Sequence, residues 1–106
     1  MKEPNETVKK IQSLLLDIMV PNLRSLQLEL TYPIQDIATL KRLSASLKES
    51  IQICETSRPE IEDYCKNCII LIQVMSYASA LEELDTIVKQ AKTLIAKAKI
   101  IIDNIN

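Results

Sequence analysis

An all-α fold, an up-down-up-down antiparallel four-helix bundle, is what this sequence predicts, and three observations predict it. The chain has no glycine in 106 residues, its apolar residues recur three and four positions apart, and its only strong breakers are Pro4, Pro21, Pro33 and Pro59. Three-and-four spacing is the signature of one apolar helical face. The absence of glycine removes the residue on which tight turns and phosphate-cradling loops depend.

The first helix is expected at about residues 6–30. Val8, Ile11, Leu15, Ile18, Leu23, Leu26 and Leu30 form its stripe, and Pro4 suits a first turn, where a missing N–H has no partner to lose. Pro21 falls in the middle of this run. It removes one ladder bond and crowds the preceding turn, so the helix should kink there while its stripe resumes in nearly the same phase.

Thr31-Tyr32-Pro33 ends that segment, and Ile37, Leu40, Leu43, Leu47, Ile51 and Cys54 mark a second helix at about 33–56. Ser57-Arg58-Pro59-Glu60 reads as a capping box, with Glu60, Glu62 and Asp63 crowding a first turn where the helix dipole favours negative charge. No proline or glycine follows, so pattern alone permits one helix to the C-terminus. Such a helix would be about 70 Å long, twice its partners, and half its apolar face would stay in water. Ser79-Ala80-Leu81-Glu82 offers a second capping box that divides the run, giving helices at about 59–77 and 80–105. The last carries Leu84, Ile87, Val88, Ala91, Leu94, Ile95, Ala98, Ile101, Ile102 and Ile105 on a broad face. Four helices of similar length with short connections make the bundle, read as one domain over residues 1–106.

Composition narrows function by exclusion. The chain has no histidine, the usual proton-transfer group near neutral pH and the commonest metal ligand. Catalysis is therefore not expected, and neither is a cofactor or small-molecule substrate. Thirteen basic against fourteen acidic residues, with no Trp or Phe, fit neither phosphate neutralisation nor base stacking, so nucleic acid is not an expected partner. The opening Met1-Lys2-Glu3-Pro4-Asn5-Glu6 lacks the basic and apolar regions of a secretory signal. The apolar run from Cys68 to Met75 is far short of the roughly 20 residues that span a bilayer. With three cysteines, an odd number, the expected location is cytoplasmic.

Cys65-Lys66-Asn67-Cys68 is the one chemical motif. Residues three apart share a helix face, and Cys54 could add a third sulfur, but a tetrahedral zinc site would still need a carboxylate such as Glu55, Glu62 or Asp63. The redox CxxC belongs at a helix start after a strand, which this pattern does not offer. Cys54, Cys65 and Cys68 all match the apolar phase, so core packing is their expected role. No metal site is expected; these three are the only candidates for a metal or redox centre. Carboxylate groups at the predicted helix starts are accounted for by the dipole.

A surplus of apolar residues stands out instead. Leu14, Leu16, Val20 and Leu28 lie off the first stripe, Ile53 off the second, Ile70 and Val74 off the third, and Ile100 off the fourth. The run Ile69 to Met75 is apolar nearly all round, the mark of a helix covered on more than one side. The sequence thus points to a non-catalytic protein-protein interaction or adaptor module, binding a partner protein or self-associating as a homo-oligomer. Its expected surface is Leu14, Leu16, Val20, Leu28, Ile70 and Val74. Two alternatives stand beside it: an amphipathic-helix membrane-associating effector, motivated by Lys9, Lys10 and the lysines of the last helix, and a cysteine-based metal or redox site at Cys65/Cys68.

Overall fold

The computed structural model describes residues 4–105, the side chains of Pro4, Asn5 and Gln73 excepted, and the expectations resting on Met1, Lys2, Glu3 and Asn106 lie outside the described residues. Every element among them is helical: α1 (Pro4–Leu14), a π-helical turn (Leu15–Met19), α2 (Val20–Thr31), α3 (Ile37–Asn67) and α4 (Leu71–Ile105). The first three run on as one interrupted rod over residues 4–31. The all-α class is as expected. The count is not, since three rods replace the expected four.

Both misplaced breaks have physical causes. Pro59 lies inside α3, and the apolar repeat passes through it unbroken. Leu40, Leu47, Cys54 and Ile61, each seven residues from the next, are all buried. Glu55, whose carbonyl loses its donor at Pro59, is exposed, as is Pro59 itself, so the lost bond lies on the solvent-facing side of α3, where such a carbonyl is least costly. Ser57-Arg58-Pro59-Glu60 is therefore mid-helix and caps nothing. Ser79 to Glu82 lies inside α4, where Tyr77, Leu84, Ala91 and Ala98 repeat every seven residues in the core. The actual break is the short turn at 68–70. The length mismatch that argued for a fourth helix disappears once α3 has 31 residues and α4 has 35.

Successive rods are antiparallel, so the first rod and α4 run in the same direction. Thr7 Oγ1 donates to Glu60 Oε1 at 3.3 Å and Asn22 Nδ2 to Ser46 Oγ at 2.9 Å, which runs the first rod against α3. The Arg58 guanidinium grips Asp85 through two bonds of 2.9 and 2.8 Å, and Lys92 Nζ lies 2.8 Å from Glu55 Oε1, which runs α4 back along α3. The Arg58 cation holds the Asp85 carboxyl below its ordinary range. At 1.5 Å per residue α4 alone is about 52 Å long, and the molecule measures 53 × 19 × 18 Å. The seven-residue repeats on α3 and α4 are those of left-handed coiled-coil packing.

The first rod departs from that repeat by one residue. Val8, Ile11 and Leu15 are buried, and so are Met19, Leu23 and Leu26; a strict heptad would bury 18, 22 and 25 after Leu15. The π turn absorbs the extra residue. Val20 N–H donates to Leu15 O, five residues back, and Pro21 follows directly, where it would otherwise meet the Asp17 carbonyl in a regular ladder. The expected stripe is corrected at one position. Ile18 is 45% exposed, whereas Met19 is fully buried.

No residue among those described has positive φ. The turns are made from extended backbone instead: Tyr32, which precedes Pro33 and is restricted by it, has φ −72° and ψ 147°, and Cys68 has φ −84° and ψ 130°. A chain without glycine thus connects three rods without strain. The core does hold one uncompensated polar atom among the described residues, Ser44 Oγ, which is buried without a hydrogen-bond partner.

Candidate functional site

Thr7, near the start of the described first rod, meets α3 at Glu60. The α3–α4 hairpin continues about two turns beyond that contact. Tyr64 and Tyr77 face each other across it with ring centroids 6.2 Å apart, and Tyr64 Oη donates to Glu60 Oε1 at 2.7 Å. Past this aromatic pair the hairpin ends in the turn 68–70 and the first turn of α4.

That end is apolar and in water. Ile69 is 98% exposed, Ile72 80%, Leu71 71%, Met75 64% and Ile70 53%. No charged residue occurs from Asn67 to Leu81. Isolated exposed aliphatics are ordinary, but a contiguous group at one end of a rod marks a contact surface.

The expected surface residues divide. Leu16, Leu28 and Ile70 are exposed, while Leu14, Val20 and Val74 are half-buried, and Leu14 packs against the core. The structure does not gather the six into one patch. Ile70 and Val74 belong to the hairpin tip, and Leu16 and Leu28 lie along the first rod. The sequence pattern places the run from Ile69 to Met75 in the interior of a helix. Its true place at a turn, which makes Ile69, Leu71, Ile72 and Met75 the most conspicuous residues, is signalled only by the heptad passing through Pro59.

A second feature lies between the first rod and α4. Two shallow grooves follow this seam and meet at Thr86. One is lined by Leu16, Ser79, Glu82 and Glu83, the other by Leu23, Gln27, Lys89, Gln90 and Thr93. The first is acidic and the second basic.

The cysteines do not converge. Cys54 is eleven residues from Cys65, about 16 Å along α3, and no group of three or more potential metal ligands forms among the described residues. Cys65 and Cys68 sit at the C-terminal end of α3, opposite to the helix start that a redox CxxC uses. Their thiols point to backbone oxygens, Cys65 Sγ to Val74 O at 3.9 Å and Cys68 Sγ to Ile70 O at 3.6 Å. Cys54 Sγ lies 3.7 Å from Met19 Sδ in the core, where burial, with the Glu55 carboxylate, pushes its pKa up to about 11. A disulfide-exchange reagent at pH 8 is therefore expected to titrate two thiols in the folded protein and the third only with unfolding. Three equally fast thiols would show that Cys54 is not enclosed.

No helix among the described residues is long and apolar enough to cross a membrane. No protein-family model matches the chain, and no curated protein or solved structure is significantly similar to it.

Proposed function

We propose that this protein is a non-catalytic helical interaction module that inserts the tip of its α3–α4 hairpin into an apolar recess on a partner protein. The observation that carries this reading is the uncharged tip, with Ile69, Ile70, Leu71, Ile72 and Met75 all exposed. Fully burying one such side chain contributes about 1.5–3 kcal/mol, so three of them supply enough to offset much of the cost of association. The absence of histidine and of any gathered set of ligands among the described residues supports a binding role over a chemical one.

The charges behind the tip favour protein over lipid. Glu60, Glu62 and Asp63 on α3 and Glu82 and Glu83 on α4 outnumber Lys66 and Arg58 there. An anionic bilayer would be repelled by this collar, and a protein recess rimmed with lysine or arginine would be attracted.

A photo-reactive residue in place of Leu71, introduced in the native cell, is expected to give a discrete adduct with another protein. Ile70→Asp should abolish the adduct while circular dichroism stays unchanged. Adducts to lipid alone, co-flotation with anionic vesicles, or no adduct would overturn the proposal.

A further inference from the structure

We propose that the outer face of α4, with the grooves that flank it, binds a second copy of this chain antiparallel, about a two-fold axis passing close to Thr86. This surface is centred on Thr86, away from the turn at 68–70, and shares only Ile72 with the tip; the proposal rests on the charge pattern and does not depend on the role given to the tip.

The charge pattern along the face is self-complementary about that residue. Glu82 and Glu83 lie three to four residues before Thr86, and Lys89 and Gln90 three to four residues after it. With a rise of 1.5 Å per residue, Glu82 and Lys89 are about 6 and 4.5 Å from Thr86 along the axis, close enough in level for their side chains to meet. A two-fold through Thr86 opposes residues that lie seven apart on the same edge of the face, so it sets Glu82 of one copy beside Lys89 of the other, twice over, with Glu83 facing Gln90. Neither Glu82 nor Lys89 forms an ion pair within the chain among the described residues, whose bridges are Arg58 with Glu62, Arg58 with Asp85, and Lys92 with Glu55. The same operation lays the acidic groove against the basic one, because the grooves meet at Thr86.

The ends of the face match too. Ile72 and Ile100 are each fourteen residues from Thr86, and both are largely exposed. They meet across the two-fold about 21 Å on either side of its centre, giving each end of the contact an apolar pair. Ser79 falls level with Thr93, and both are short enough to let the helices approach.

The whole rod shares this polarity. The half that bears the hairpin tip, residues 4–17 and 56–86, carries eight acidic and four basic residues. The other half, residues 18–55 and 87–105, carries five acidic and eight basic residues. Antiparallel pairing opposes unlike halves along the full length, whereas a parallel pair would oppose like halves. An isologous two-fold contact also closes on itself and does not propagate into filaments.

A residue on a two-fold axis faces its own copy, which makes the geometry directly testable. Helices packed 8–10 Å apart, with Cα atoms about 2.3 Å from each axis, bring facing Cα atoms to about 3.4–5.4 Å, which overlaps the range a disulfide needs. In a Cys65→Ser/Cys68→Ser background, Thr86→Cys is expected to form a disulfide-linked dimer under mild oxidation, and Ala45→Cys, on the exposed surface of α3, is not. Light scattering of the unmodified chain should show a mass rising with concentration from 12.0 kDa toward twice that value. Glu82→Lys should raise the dissociation constant about tenfold or more, and Glu82→Lys/Lys89→Glu should return it to within about threefold of the original. Added salt should weaken the dimer. A 12.0 kDa monomer at every concentration, a dimer indifferent to both charge reversals, or a face occupied only by a different protein would overturn the proposal. Because these variants leave the tip intact, its photo-adduct would survive such a failure.

Discussion

Replacing Met19 with alanine is expected to cost about 2–5 kcal/mol of stability, and replacing its neighbour Ile18 with alanine under about 1 kcal/mol, in urea denaturation followed by circular dichroism. The difference follows from the π turn. A strict heptad continued from Val8, Ile11 and Leu15 would bury Ile18, and truncating that residue would then leave the larger cavity. The turn at Leu15–Met19 instead takes up one residue, so that Met19 enters the core with no exposed surface and touches the Cys54 thiol. Leu23 and Leu26 keep the shifted phase. Ile18 is nearly half in water, and alanine is the better helix former, which offsets part of its lost contact. Equal costs, or a larger cost at Ile18, would mean that the rod runs through Pro21 as a regular α-helix.

The helical class was legible because it needs only a period and an absence, and both are plain in the sequence. Which residues face inward was mostly legible for the same reason: Val8, Leu15, Leu40, Leu47, Leu84 and Ala91 all belong to the expected stripes and all are buried. Two things were not. Proline as a breaker is a local rule, and it competes with the tertiary gain of keeping a stripe on its partner; at Pro59 the stripe prevails, with Glu55 and Pro59 both on the exposed side of the helix. At Pro21 the disturbance of the first helix was expected, but not its form, a π turn that shifts the stripe by one residue. The candidate surface suffered from the same error. A misplaced turn puts Ile69 to Met75 inside a helix, so the residues stand out as surplus but not as a tip.

Pro59 supplies the strongest test of the architecture, because the two helix counts predict opposite signs. Within α3 the proline lacks a donor for the Glu55 carbonyl and crowds it, a cost of about 3 kcal/mol relative to alanine in a helix interior. Proline also stiffens the unfolded chain, which returns up to about 1 kcal/mol. Pro59→Ala is therefore expected to stabilise the protein by about 2 kcal/mol, raising the midpoint of thermal unfolding by about 8–15 °C. In the first turn of a separate helix the missing N–H would cost little and the fixed φ would help, so the same substitution would be neutral or harmful. Ser57→Ala carries the same sign test at smaller amplitude. As a helix cap Ser57 would be worth about 1 kcal/mol, whereas in the interior alanine is the better residue by a few tenths of a kcal/mol. Stabilisation by both substitutions fits a helix that passes through residues 57–60 without a break. Destabilisation by both would restore the break at Pro59, shorten the hairpin, and move the apolar tip back into the body of a four-helix bundle.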